Sequence, residues 1–231
     1  MTDEQIDPRD VRFFSGSAHP ELAQDIANYL GVSLEPTKIS RFSNDNLYIQ
    51  LGASVRSRKV FIVQSLSPPV NDHLMELFMM LDIARGASAK EVHAIIPYFS
   101  FARSDKKDAP RISITAKLVA DLLQKSGATH VMTMVLHSPQ VHGFFGIPAD
   151  PLSSRPVFQN YLEQKDLSET IMIAPDIGHA KPTARLADSL GLPMAAANKE
   201  RVSDYEVRIG RTIGAQVEGK RQAIIYDDEV S

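Results

Sequence analysis

The sequence predicts an α/β protein built as two tandem domains, each with a mainly parallel central sheet flanked by helices. Three observations carry this. Short β-rich runs alternate with helical patterns along the chain, the pattern of parallel sheets with crossover helices. The run KVFIVQS (Lys59–Ser65) is largely β-branched and apolar, as a strand covered on both faces requires. The proline-rich stretch PADPLSSRP (Pro148–Pro156) reads as a loop, and the alternation resumes beyond it. The domains are therefore placed at residues 1–150 and 151–231.

The elements follow in order. VRFFSG (Val11–Gly16) is a strand ending in a turn. HPELAQDIANYLG is a helix with Leu22, Ile26 and Leu30 on one face, Pro20 near its start and Gly31 at its end. KISRFSNDNLYIQLG has the form of a hairpin, with polar SNDN at its turn. After KVFIVQS comes a helix from Asn71 to Arg85, then the strand EVHAIIPYF, a helix over Ser113–Lys125 and the strand THVMTMVLH. Beyond the break lie a helix near Val157–Gln164, the strand TIMIAPD, a helix over Lys181–Leu190, the strand PMAAAN and finally RQAIIYDD.

Composition narrows the function. With 231 residues, 43% of them apolar, there is material for two cores. A formal net charge of −3, spread over well-mixed charges, gives no basic field for nucleic acid. The absence of cysteine removes disulfides, thiolate catalysis and Cys-ligated zinc, and is compatible with a reducing cytoplasm. The amino-terminal MTDEQIDPRD is too acidic and polar for a secretory signal. No apolar run approaches the roughly 20 residues that span a bilayer. A soluble protein is expected.

Ligands of open parallel sheets gather at the carboxyl ends of the strands. There the sequence places His137 after MVL, Asp176 after IMIAP, and Asp227 and Asp228 after AIIY. HAIIPYFSFARSDKK ends in Arg103, Asp105, Lys106 and Lys107, and Lys199 and Arg201 follow PMAAA. An imidazole and a carboxylate can share a divalent metal, and Lys or Arg can neutralise phosphates in transfer. Taken singly, each has an ordinary explanation: a structural histidine, a solvated loop, a helix cap. Their recurrence at successive strand tips points to a site.

Several long segments resemble ribose-phosphate pyrophosphokinases, also called phosphoribosyl pyrophosphate synthetases. They are FSGSAHPELAQDIANYLG, RFSNDNLYIQL, PPVNDHLMELFMMLDIARGASAKEVHAIIPYFSFARSDKK, ISITAKLVADLL, VLHSPQVHGFFGIP, APDIG, NKER and YDDEVS. The resemblance implies two phosphoribosyltransferase-type domains, the second incomplete. It implies transfer of the diphosphoryl group of MgATP to the C1 hydroxyl of ribose 5-phosphate, releasing AMP. It also implies a cytoplasmic enzyme of nucleotide biosynthesis, assembled as a homo-oligomer (a hexamer built from dimers) with ATP bound across a subunit boundary.

Residue by residue, the resemblance gives Phe42 to adenine stacking and Asn44 and Asn46 to the adenine edge. It gives Arg103, Ser104 and Asp105 to ATP, and His137 and Asp176 to Mg2+. Lys199 and Arg201 would stabilise the diphosphoryl group in flight, and Asp227 and Asp228 would bind the ribose hydroxyls.

The chain departs from the family pattern at named places. Asn44-Asp45-Asn46 stands for Asp-Gly-Glu, Ser104 for Gln, Val135 for Asp, His179 for Gly and Ser231 for Asp. The family's phosphate-gripping Asp-Thr-Gly-Gly-Thr loop would open at Ser231. These departures keep a second reading open, a catalytically impaired subunit that regulates or assembles with an active synthetase. A plain phosphoribosyltransferase ranks below both, because it needs neither NKER nor the long amino-terminal matches.

Overall fold

The computed structural model describes residues 10–201 and 207–229, with backbone alone at 198–201 and 207–212. The chain forms two compact units, Met1–Leu152 and Ser153–Ser231.

In the first unit the order is β1 (Val11–Ser15), α1 (Pro20–Leu30), β2 (Leu34–Glu35), β3 (Thr37–Arg41), β4 (Leu47–Leu51), β5 (Lys59–Val63) and α2 (Val70–Gly86). Then come β6 (Glu91–Ile96), α3 (Thr115–Ser126), β7 (His130–Met134) and β8 (Ala149–Leu152). Six strands make one parallel sheet in the order β2-β1-β5-β6-β7-β8. β3 and β4 form the expected antiparallel hairpin, Thr37 opposite Leu51 and Arg41 opposite Leu47.

Two details differ from the sequence reading. Part of PADPLSSRP is a strand: β8 pairs with β7 from Val131↔Ala149 to Met134↔Leu152. Its Pro151 is tolerated because β8 lies at the sheet edge, where a missing N–H breaks no ladder. On α1, Ala23 and Ala27 are the buried residues, while Leu30 is 53% exposed. The small alanines pack in one cluster with Phe13 and Val63, with Phe61 against its side. A Leu-based apolar stripe pointed about one residue away from the true contact line. Gly31 ends the helix in the left-handed region (φ 66°), its N–H reaching the carbonyls of Ala27 and Asn28.

The larger core joins Leu77, Met80, Leu81 and Ala84 of α2 with Ala116, Val119 and Leu123 of α3 and with strand residues Ile62, Ala94, Ile96 and Val131. Among the described residues, one carboxylate side chain enters this interior. Glu76 of α2 is only 3% exposed. Its Oε1 accepts the Ser17 backbone N–H (2.5 Å) and the Gln64 side-chain N–H (2.9 Å), and its Oε2 accepts the Ser17 hydroxyl (2.7 Å). Gln64 in turn accepts the Ala18 N–H at 3.1 Å and donates to the His73 carbonyl at 3.2 Å. Gly16 is glycine because the cluster leaves no room: a Cβ there would lie 2.2 Å from the Gln64 Oε1 and 2.7 Å from the Glu76 Oε1.

The second unit runs α4 (Arg155–Leu162), β9 (Thr170–Ala174), α5 (Ala180–Leu190), β10 (Met194–Arg201), β11 (Val207–Gly214) and β12 (Gln222–Ile225). Its sheet order is β11-β10-β9-β12. β10 and β12 flank β9 in parallel, and β11 runs antiparallel to β10. The sequence reading had not assigned β11. Its core is small: Leu162, Met172, Leu186 and Ala187, with Leu190, Leu192, Met194, Ile224 and Tyr226 against them.

The Glu76 network makes a measurable contribution. Glu76→Leu keeps the volume but strands the Ser17 and Gln64 donors, and should lower the unfolding free energy by about 3 kcal/mol in urea denaturation. Ser17→Ala, which removes one donor and leaves the carboxylate its others, should cost about 1 kcal/mol.

Candidate functional site

The strand tips of the second unit bring several ionisable side chains together. β9 and β12 are adjacent and parallel, Ile173 beside Ile225, so the loops after them leave the sheet at the same end. Asp176 lies in the first loop and Asp227 and Asp228 in the second. The Asp176 Oδ1 accepts the His179 backbone N–H at 2.9 Å, which fixes the carboxylate at the entrance to α5. Among the described residues nothing hydrogen-bonds its Oδ2.

Asp227 and Asp228 are not free to turn outward together. The Asp227 Oδ1 accepts the Asp228 backbone N–H at 2.8 Å. Burial pushes the Asp227 carboxyl above its usual range, and its neighbour Asp228 adds to the shift, against pulls from the Asp228 N–H and His179. The His179 Nδ1 stands 3.8 Å from an oxygen of each carboxylate, near enough for charge and too far for a hydrogen bond. Its Nε2 is buried without a partner. His179, Asp227 and Asp228 offer three ligand atoms within 4.8 Å of one another, a nitrogen-and-oxygen set that suits a divalent cation. Sequence reasoning knew His179 only as a replaced glycine, because its approach to the acids depends on two loops far apart in the chain.

Tyr226 braces this tip. Its hydroxyl lies 3.3 Å from the Ser154 hydroxyl, and its ring meets Phe158 and His179 edge-on, both at 5.5 Å. The backbones of Lys199 and Arg201 lie in β10, opposite Ile209 and Val207 of β11. Their side chains lie outside the described residues.

The remaining candidates belong to the first unit. Phe42 follows β3 and is 58% exposed, its ring edge-on to Tyr48 at 5.7 Å. The turn after it is closed by Asp45 N–H to Phe42 O and Phe42 N–H to Asn46 O, both 2.9 Å, while the Asn44 side chain accepts the Asn46 N–H at 3.3 Å. Asp45 takes a left-handed conformation (φ 66°), which Asp tolerates better than most residues. Arg41 ties the turn down, binding Asp45 and, on α2, Asp72, each at 2.9 Å.

Arg103 ends a short helical turn over Ser100–Arg103 and is exposed, and Asp105 is half-buried. Ser104 links this turn to α3: its N–H reaches the Phe101 carbonyl and its carbonyl receives the Ala116 N–H at the start of α3. His137 lies exposed just after β7. Between them Val135 adopts φ 44°, a strained conformation for a β-branched residue, at a cost of about 1–3 kcal/mol. Aspartate, expected there from the family pattern, accepts positive φ more readily.

Comparison with known proteins identifies the family of the chain. A profile for the N-terminal domain of ribose phosphate pyrophosphokinase matches residues 11–127. A Deinococcus radiodurans ribose-phosphate pyrophosphokinase is 49% identical over 220 residues, covering 94% of this chain and 68% of its own. The chain belongs to the ribose-phosphate pyrophosphokinase family. It is thus a member of a family of transferases. A Streptomyces coelicolor relative, provisionally given the same enzyme name, is 51% identical over 96% of this chain and 70% of its own. The crystal structure of phosphoribosylpyrophosphate synthetase from Mycobacterium smegmatis superposes with a TM-score of 0.85 at 35% identity, over 95% of this chain and 71% of that one. The α/β fold with mainly parallel sheets is therefore that of the family. No described helix is long and apolar enough to cross a membrane.

The crowded acids have a pH signature. Because the folded-state value of Asp227 is raised, the folded chain binds this proton more tightly than the unfolded chain does. Its contribution to stability is greatest below the ordinary carboxylate value of about 3.9 and is lost as pH rises through the raised value. Asp227→Asn should therefore raise the thermal midpoint at pH 7 and leave it little changed at pH 3.5, as read by circular dichroism.

Proposed function

We propose that the chain carries the site of a ribose-phosphate diphosphokinase, which transfers the diphosphoryl group of MgATP to the C1 hydroxyl of ribose 5-phosphate. The observation that carries this reading is the pair Asp227 and Asp228 at the β12 tip, beside the Asp176 loop at the β9 tip. The two acids crowd each other, with the His179 Nδ1 at 3.8 Å from an oxygen of each. Adjacent hydroxyls of a sugar supply donors that two carboxylates accept with charge assistance.

The remaining roles follow the chemistry of the side chains. The exposed Phe42 ring offers a stacking face to adenine, and the Asn44 and Asn46 amides offer donors and acceptors to its edge. Arg103, Ser104 and Asp105 would contact ATP. By the family resemblance His137 and Asp176 would each supply a ligand to Mg2+, an imidazole and a carboxylate being donors that suit a divalent ion. Mg2+ held there would neutralise phosphate charge. In the transfer, the C1 oxygen forms a bond to the β-phosphorus as the bond from that phosphorus to the AMP oxygen breaks. The hydroxyl proton passes to solvent. Lys199 and Arg201 would offset the charge gathered on the diphosphoryl oxygens, the main demand of phosphoryl-type transfer.

Such an enzyme is expected in the cytoplasm, supplying nucleotide biosynthesis, and as a homo-oligomer. The second reading, an assembly subunit without turnover, is not favoured by relatives that bear the enzyme's name.

The test is AMP formation followed by chromatography. AMP should appear only when MgATP and ribose 5-phosphate are both present. Asp228→Ala should raise KM for ribose 5-phosphate by about 10- to 100-fold with little change for ATP, the loss of one charge-assisted hydrogen-bond partner. Lys199→Ala should lower kcat by about 100-fold. A folded chain that binds both substrates and releases no AMP would overturn the proposal.

A further inference from the structure

Away from these tips, near the amino-terminal ends of the strands, four ionisable side chains form an unbroken chain across β6, β7 and β8. The Glu91 Oε2 lies 3.2 Å from the His93 Nε2. The His93 Nδ1 lies 3.0 Å from the His130 Nδ1. The His130 Nε2 lies 2.9 Å from the Asp150 Oδ2. Strand register builds this row, pairing His93 with both Phe61 and His130. Phe61 stacks on the His93 ring at 4.4 Å with the planes 9° apart, and the two imidazoles meet edge to face at 5.2 Å.

Counting protons decides what the row can be. An ionised carboxylate only accepts, so each Nε2 facing one must carry a hydrogen. A neutral imidazole has a single N–H, and in both rings it is then spent on Nε2. Two bare Nδ1 lone pairs would be left facing each other at 3.0 Å. The contact is a hydrogen bond only if one Nδ1 is also protonated. The two rings then hold three protons and a single positive charge.

We propose that His93 and His130 share one extra proton through the neutral range and act as a proton-linked clamp between β6 and β7. Removing the proton sets two lone pairs in opposition. Adding another sets two N–H groups in opposition. Burial pushes His93 below the ordinary histidine range against the pull of Glu91, so the hydrogen bonds along the row must offset this push for the first extra proton, and a second would meet it without the Nδ1 contact to offset it. The other charged groups reaching the row are Lys59 from β5, 3.6 Å from Glu91, Lys90 acting on Glu91 through space, and Asp150 from β8.

Linkage turns this into a stability profile. Across the neutral range the folded pair binds one extra proton. Two unfolded histidines bind nearly two at low pH, one at about pH 6.5 and none at high pH. Stability rises with pH wherever the unfolded chain binds more protons, so the clamp contributes most near pH 6.5 and less on either side.

The experiment combines imidazole nitrogen NMR with urea denaturation from pH 5 to 8.5. In the wild-type chain the two rings should titrate as a pair, in two steps about two pH units or more apart, with one protonated Nδ1 per pair between them. The stability difference between wild type and His93→Phe should peak near pH 6.5. Two rings titrating independently at the ordinary value would overturn the proposal, as would two bare Nδ1 atoms at pH 7 or a difference that is flat or monotonic with pH. If His93→Phe does not fold, His130→Asn takes its place in the denaturation series, and the wild-type spectra decide the proton count alone.

Discussion

The Glu76 carboxylate, buried at the carboxyl end of the first sheet, sets how the two units differ. It is 3% exposed and accepts three hydrogen bonds from Ser17 and Gln64. Its position gives the contact its meaning. The strand order β2-β1-β5 reverses direction between β1 and β5, and the crevice beyond those two strand ends is where an open α/β sheet ordinarily takes a ligand. In the first unit that crevice is filled by the chain's own anion, with Gly16 giving up its side chain to make room. The ligand residues proposed for this unit lie instead in the hairpin turn and at the tips beyond β6 and β7.

The second unit repeats the topology with the opposite outcome. In the order β10-β9-β12 the reversal lies between β9 and β12, so β9 stands as β1 does and β12 as β5 does. Each of the two leading strands runs into a loop that ends in a histidine before a helix, His19 before α1 and His179 before α5. Here no buried helix carboxylate plugs the crevice among the described residues. Two carboxylates, Asp227 and Asp228, instead crowd each other there beside an imidazole with an unpartnered nitrogen. One anion is enclosed by Ser17 and Gln64, and the other two stand side by side at a strand tip with an imidazole 3.8 Å away. That contrast is the physical argument for the proposal that the second unit seats the polyhydroxy ligand.

Much of this was legible in the sequence. KVFIVQS and TIMIAPD announce buried parallel strands through β-branched runs, and the glycines ending α1 and α5 mark their stops. Asp176, Asp227 and Asp228 could be placed at strand tips from the sequence because such tips are defined by local patterns alone, and they lie just after β9 and β12. β8 was hidden because Pro151 and Pro148 look like loop residues, and only an edge position makes a proline harmless in a strand. β11 was missed because its partner is set by a bulged antiparallel register that no local pattern marks. Glu76 reads as an ordinary helix-surface acid until Ser17 and Gln64, far away in sequence, are brought to it. The His93–His130 contact has the same origin, since cross-strand register and not sequence spacing puts the two rings together.

A crystal structure of the chain with ribose 5-phosphate and magnesium tests the central contrast most directly. The account predicts sugar density against Asp227 and Asp228 at the β9–β12 end, with Glu76 still bound to Ser17 and Gln64. Density for the sugar phosphate in the β1–β5 crevice, with the Glu76 carboxylate displaced, would contradict it.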